Sequence, residues 1–176
     1  MGKQDEMLPF FDELDYEIDL MIEEPEKHID EWLPLGASRL IFHFEAIKNR
    51  EEFFTHPIFQ AGAREIGGSK VIEVGLAINP DTSLSEIEIY MDNVDFVQCM
   101  GIAKIGYQGE PFDERVLLHV NALRVRYPNM PIAVDGGVSM ETAHDLIAAG
   151  ATRLVSGSAV FGADDMASAI LGLRNA

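Results

Sequence analysis

The sequence predicts an α/β protein with parallel strands of the (βα) TIM-barrel type, incomplete, with about six βα units. Three observations predict it. Six apolar runs alternate with segments of helical period. Most runs are β-branched or aromatic and lack clean polar alternation, as strands buried on both faces of a parallel sheet do. The glycine clusters follow the last strands, at Asp135-Gly136-Gly137 and Ser156-Gly157-Ser158. That is where a (βα)8 barrel builds its phosphate site, whereas the G-x-G-x-x-G of an open dinucleotide-binding sheet is absent. A whole barrel needs at least roughly 200 residues, so a chain of 176 residues predicts one partial barrel domain over 1–176. Residues 1–14 read as an arm or remnant helix and 15–176 as the six units.

The elements follow in order. YEIDLMI (16–22) is the first strand. Glu24-Pro25-Glu26 then starts a helix, with proline in the first turn and acids at the positive end of the dipole, and Gly36 ends it. RLIFHFEA (39–46) is the second strand, and 47–70 predicts partial helix closing in a Gly67-Gly68 turn. VIEVGLAIN (71–79) is the third strand, and Asp81-Thr82-Ser83 caps a helix running to about Asn93. VDFVQCMGI (94–102) precedes the longest helix, 112–127, whose stripe is Val116, Leu117, Val120 and Leu123 and which Pro128 stops. After PIAVDGGV (131–138), Ser139 caps METAHDLIAAG and Gly150 ends it. TRLVSGSAVF (152–161) and a last helix over 164–174 complete the chain.

Lys plus Arg number 13 against 30 Asp plus Glu, a formal charge of −17. Such a surface repels nucleic acid and anionic lipid, so neither is expected as a partner. Twelve of the acids fall in residues 1–31, against Lys3 and Lys27, and read as a solvated face. Cys99 is the single cysteine, lies inside an apolar run and reads as core. No apolar run is long enough to span a membrane and the N-terminus lacks a signal pattern, so the expected location is cytoplasmic. Trp32 and the pairs Phe10-Phe11 and Phe53-Phe54 read as packing.

Chemistry concentrates at the strand ends. Asp135 closes a buried strand, and a carboxylate at the C-terminal end of a barrel strand lies on the active-site face. The two glycines after it let backbone N–H groups approach an anion closely. Ser156-Gly157-Ser158-Ala159 adds hydroxyls and bare backbone ahead of a helical turn, a phosphate-binding arrangement. Two such turns on consecutive strands predict a phosphate cup for phosphate or a phosphosugar.

With these residues in place the resemblance is specific. FHFEA (42–46), GLAINPDTS (75–83), VDFVQCM (94–100), GYQGEPF (106–112), VDGGVSMET (134–142) and LVSGSAVFG (154–162) resemble ribulose-phosphate 3-epimerase in order and spacing, from about Phe10 onward. The resemblance implies an isomerase that interconverts ribulose 5-phosphate and xylulose 5-phosphate by metal-assisted proton transfer at C3. It implies Asp135 as acid/base and metal ligand, and Gly109, Gly136, Gly137, Gly157 and Ser158 on the phosphate. Met21 and Met100 would line the pocket, and the cofactor would be a divalent, zinc-like metal.

Three departures accompany it. The family's first two strands, the second with a His-x-Asp motif that supplies two metal ligands and the other acid/base, have no counterpart. Asp19 stands where the family has a third-strand metal-binding His, and Asp favours harder cations than imidazole does. The glycine loop MGIAKIGYQGEPF is one residue longer than the family's. A second reading is therefore a truncated or engineered barrel fragment that folds and binds phosphate without catalysis. Under the enzyme reading, Asp19 and Glu45 are the candidates for a second carboxylate opposing Asp135. His43 reads as a structural hydrogen-bond partner in its strand. Open strand edges predict self-association as a homodimer, unless residues 1–14 fold back as a plug through Met7, Leu8, Phe10 and Phe11.

Overall fold

The computed structural model describes residues 8–10, 12–59, 65–66, 70–107 and 109–176. All six apolar runs form strands, and the described pairings between them are parallel. The strands alternate with helices, so the architecture is the incomplete (βα)-barrel type that the runs predict. The chain divides into two compact units: 1–76 with 87–95, and 77–86 with 96–176.

In the first unit, β1 (Glu17–Leu20) pairs with β2 (Arg39–His43) in the register Asp19↔Ile41 and Leu20↔Phe42. The helix expected to end at Gly36 is a broken run: a 3-10 turn at Pro25–Lys27, α1 (Ile29–Trp32) and a second 3-10 turn at Leu33–Leu35. Gly36 ends it in the left-handed conformation, φ 87°, which glycine adopts without steric cost. Beyond β2, a 3-10 turn leads to α2 (Arg50–Thr55), which Asn49 caps by accepting the Glu52 N–H. Phe42, Phe53, Phe54 and Phe59 pack here with ring centroids 4.7–6.3 Å apart. The Phe53-Phe54 reading as core is therefore correct. Phe10 is 65% exposed, so it neither packs nor plugs; Phe11, Met7 and the Gly67-Gly68 turn lie outside the described residues.

Between α2 and the third apolar run, β3 (Glu65–Ile66) and β4 (Lys70–Val71) pair antiparallel, a hairpin that follows the partial helix expected within 47–70. The third run gives β5 (Glu73–Ile78), shared by the two units, and the first unit's sheet runs β1-β2-β5. The helix expected to reach Asn93 is α only at α3 (Leu84–Ile87) and then winds as 3-10 over Glu88–Asn93. Alternating β-branched residues in Glu86-Ile87-Glu88-Ile89 suit a regular α-helix poorly.

The second unit continues from β5 through β6 (Phe96–Met100), β7 (Ile132–Asp135) and β8 (Arg153–Val155), in that order. Between them run α4 (Arg115–Arg126) and α5 (Met140–Ala149), and after them α6 (Ser158–Phe161) and α7 (Met166–Arg174). Helix α4 starts three residues later than expected because Phe112 is used in an isolated bridge to Ile102 and Asp113 folds onto Arg115. That ion pair holds the Asp113 carboxyl below the usual carboxylate range, through the Arg115 hydrogen bond first. Among the described residues no helix is long and apolar enough to cross a membrane.

Cys99 is fully buried in β6, and burial pushes its thiol up to about 12. The reactive thiolate is then almost absent near neutrality. A thiol reagent at about pH 8 should leave Cys99 untouched in the native protein and modify it at once in denaturant. Stoichiometric labelling without unfolding would contradict its place in the core.

Candidate active site

In the second unit the strand register sets one row across three strand ends. Met100 lies opposite Asp135, and Asp135 opposite Val155. One step earlier, Gln98, Ala133 and Arg153 form the next row of the same face, since side chains alternate along a strand. Asp135 is half-buried at the C-terminal end of β7, the end that carries chemistry in parallel βα proteins. Its carbonyl accepts the Gly101 N–H at 2.7 Å, and the Gly101 carbonyl accepts the Asp113 N–H at 2.8 Å.

These bonds pin the base of the loop after β6 against the turn after β7. Gly136 and Gly137 both have positive φ, 92° and 66°. A Cβ on Gly136 would stand 2.8 Å from the Ile102 side chain, and one on Gly137 2.8 Å from the Phe112 ring. Gly101 is the residue that sequence reasoning missed: a Cβ there would overlap the carbonyl oxygen of Gly136. A glycine directly after a buried strand was the available signal, because such a glycine marks close backbone approach.

The turn after β7 is held on its other side too. Thr142 Oγ1 donates to the Gly137 carbonyl at 2.8 Å and accepts the Ser139 N–H at 3.0 Å. The Ser139 hydroxyl in turn accepts the Glu141 N–H, so α5 begins on a closed capping box. Ser156 then joins the two glycine turns: its hydroxyl donates to the Val138 carbonyl at 3.1 Å. Gly157 opens α6, and its carbonyl accepts the Val160 and Phe161 N–H groups at 3.0 and 2.9 Å. The N–H groups of Ser158 and Ala159 in that first turn have no acceptor within the helix.

Asp135, Gly136, Gly137, Gly157 and Ser158 thus belong to one hydrogen-bonded strand-end assembly. Met100 lies in its row but is buried, 1% exposed, with its sulfur 3.7 Å from Gln98 Nε2. Gly109 sits on the exposed part of the loop after β6, with φ 76° and nothing within 4 Å of its Cβ position. Met21 and Asp19 belong to the first unit. Met21 is 48% exposed just beyond β1.

The Asp19 carboxylate is 2.9 Å from His43 Nε2, at the C-terminal end of β2. His43 is buried, and its Nδ1 has no hydrogen-bond partner among the described residues. His43 is thus a hydrogen-bond partner within its strand pair, and Asp19 has one oxygen engaged by it. Among the described residues, no three His, Cys, Asp or Glu side chains gather as metal ligands do. The described residues do not make up a metal centre of the kind the resemblance implies.

The geometry can be set beside known proteins. The model of the ribulose-phosphate 3 epimerase family matches residues 3–161. The ribulose-phosphate 3-epimerase of Schizosaccharomyces pombe is 36% identical over 160 residues, covering 91% of this chain and 65% of that protein. The chloroplastic ribulose-5-phosphate-3-epimerase of Arabidopsis thaliana is 36% identical over 167 residues, covering 92% of this chain and 56% of that one. The chain therefore spans between 56% and 65% of the length of these two relatives. A crystal structure of a 3-hexulose-6-phosphate synthase matches with a TM-score of 0.62 at 24% identity, over 87% of this chain and 68% of that one. That likeness concerns the fold. With the family model matched over most of its length, this chain belongs to the ribulose-phosphate 3 epimerase family.

Proposed function

We propose that the second unit binds a five-carbon ketose phosphate of the ribulose 5-phosphate type and that Asp135 moves the proton at its C3. The observation that carries this reading is the Ser156–Val138 hydrogen bond, which ties the turn directly after Asp135 to the Gly157-Ser158 turn. A carboxylate and an anion-binding turn are thereby held at a fixed offset. Phosphate binding at the two turns supplies orientation, and remote binding energy of that kind is what places a reacting carbon against a base.

The chemistry asked of Asp135 is limited. C3 lies next to the C2 ketone, so its hydrogen is acidic enough for a carboxylate to remove, leaving an enediolate. Return of that proton from Asp135 regenerates the starting sugar, with solvent hydrogen incorporated after exchange. Net epimerisation needs a proton delivered to the opposite face by a second group. Exchange at C3 is therefore the activity that Asp135 and its own unit supply, and net formation of xylulose 5-phosphate by this chain is expected to be slow. A divalent metal belongs to the reading only through family membership.

Titration with ribulose 5-phosphate tests the cup. Saturable binding is expected, weakened roughly tenfold or more by Gly157→Asp, because a carboxylate in the turn repels the phosphate. Equal affinity of the two proteins would remove the phosphate cup.

A further inference from the structure

We propose that His119 is a proton-operated latch: when its ring takes up a proton from solvent, the start of α4 loosens and unpins the loop after β6 from the strand ends. His119 stands on α4 four residues from Arg115 and four from Leu123, so its ring lies between the exposed first turn and the buried stripe of that helix. The residue is half-buried, and its Nδ1 is buried with no hydrogen-bond partner among the described residues. A neutral imidazole tolerates this, because one of its nitrogens carries no hydrogen; in the protonated ring both nitrogens are donors. Protonation therefore places a buried cationic N–H opposite no acceptor, which is costly.

The surroundings decide where the protonated ring goes. The charged groups close enough to act on it are Arg115, Asp113 and Asp81, the last on the turn after β5. Strands β6 and β7 and helix α5, which also pack on α4, bring none. Burial first, and then the Arg115 charge, hold the imidazole below its ordinary range, against the pull of the two carboxylates. A proton on the ring thus drives it out of its pocket toward Asp113 and Asp81. Asp113 is already engaged: its carboxylate accepts Arg115 Nε at 3.0 Å, Arg115 Nη2 at 2.6 Å and the Arg115 main-chain N–H at 3.1 Å. The Asp113 N–H donates to the Gly101 carbonyl, and the Gly101 N–H to that of Asp135. Competition by His119 for Asp113 acts on a residue through which α4 grips the loop. Linkage fixes the direction. The unfolded imidazole binds its proton near the ordinary 6.5 and the native ring resists it, so this contribution to stability is complete above that pH and is lost as pH falls.

The latch stands apart from the sugar chemistry, and only its effect on binding rests on reading the glycine turns as a phosphate cup. Amide hydrogen exchange of the full chain between about pH 7.5 and 5.5, corrected for the intrinsic pH dependence of exchange, tests it. Protection of the Gly101 and Asp113 N–H groups should fall roughly tenfold or more on acidification. The Tyr127 N–H at the far end of α4, bonded to the Leu123 carbonyl, should keep its protection. His119→Phe and His119→Gln do not titrate and should hold all three amides constant; thermal melts verify their folding. Ribulose 5-phosphate binding should weaken several-fold more on acidification in the native chain than in either variant, because the titration of the sugar's own phosphate is common to all three proteins and cancels. Constant protection at Gly101 and Asp113, equal loss in the native chain and both variants, or equal loss at Tyr127 would each overturn the latch. The expected exchange pattern without any sugar binding would instead support the latch and overturn the phosphate cup.

Discussion

Gly101→Val is expected to cost about 3 kcal/mol of stability, the upper part of the overpacking range, and to lower the melting temperature by roughly 6–12 °C. The cause is contact rather than conformation. Gly101 is not among the positive-φ glycines, so its backbone accepts other residues. A Cβ there, however, would overlap the Gly136 carbonyl, which is rigid backbone at the end of β7. Relief would require breaking the Gly101 N–H bond to Asp135 or the Asp113 N–H bond to Gly101, and with it the clamp between the loops. Gly109→Ala is the control. Its φ of 76° strains a side chain, but nothing lies within 4 Å of the new methyl, so the cost should be about 1 kcal/mol. A scanning-calorimetry comparison in which both variants melt together would show that the close approach at Gly101 does not hold the strand ends.

The strands were legible in the sequence for a physical reason. Runs such as Arg39-Leu40-Ile41-Phe42 are buried on both faces, and that burial demands apolar residues without alternation. Asp135 and the glycines after it were legible because a strand-end carboxylate and a positive-φ turn each restrict residue type locally. The β3–β4 hairpin was not, because two strands of two residues carry too little periodicity to stand out from their surroundings. Neither was the Asp19–His43 hydrogen bond, which depends on the register of two separate strands. Nor was the constraint on Gly101, which comes from a carbonyl on another strand. Local requirements are written locally; those set by a distant partner are not.

The largest functional effect is expected at Asp135. General-base catalysis contributes about 10²–10⁴-fold, so Asp135→Asn should slow proton removal at C3 by at least about a hundredfold. Asparagine keeps the size and the hydrogen-bonding shape of the side chain, and the Gly101 N–H bond goes to the main-chain carbonyl of residue 135. The strand-end assembly should therefore survive, and ribulose 5-phosphate should still bind in the cup. Binding retained with chemistry lost separates a proton-transferring carboxylate from one that merely caps the turn. Proton nuclear magnetic resonance of ribulose 5-phosphate in deuterium oxide makes the comparison directly. The account predicts that the native chain exchanges the C3 hydrogen for deuterium and that Asp135→Asn, still binding the sugar phosphate, does not; exchange at equal rates in the two proteins, or bound sugar with no exchange in the native chain, would contradict it.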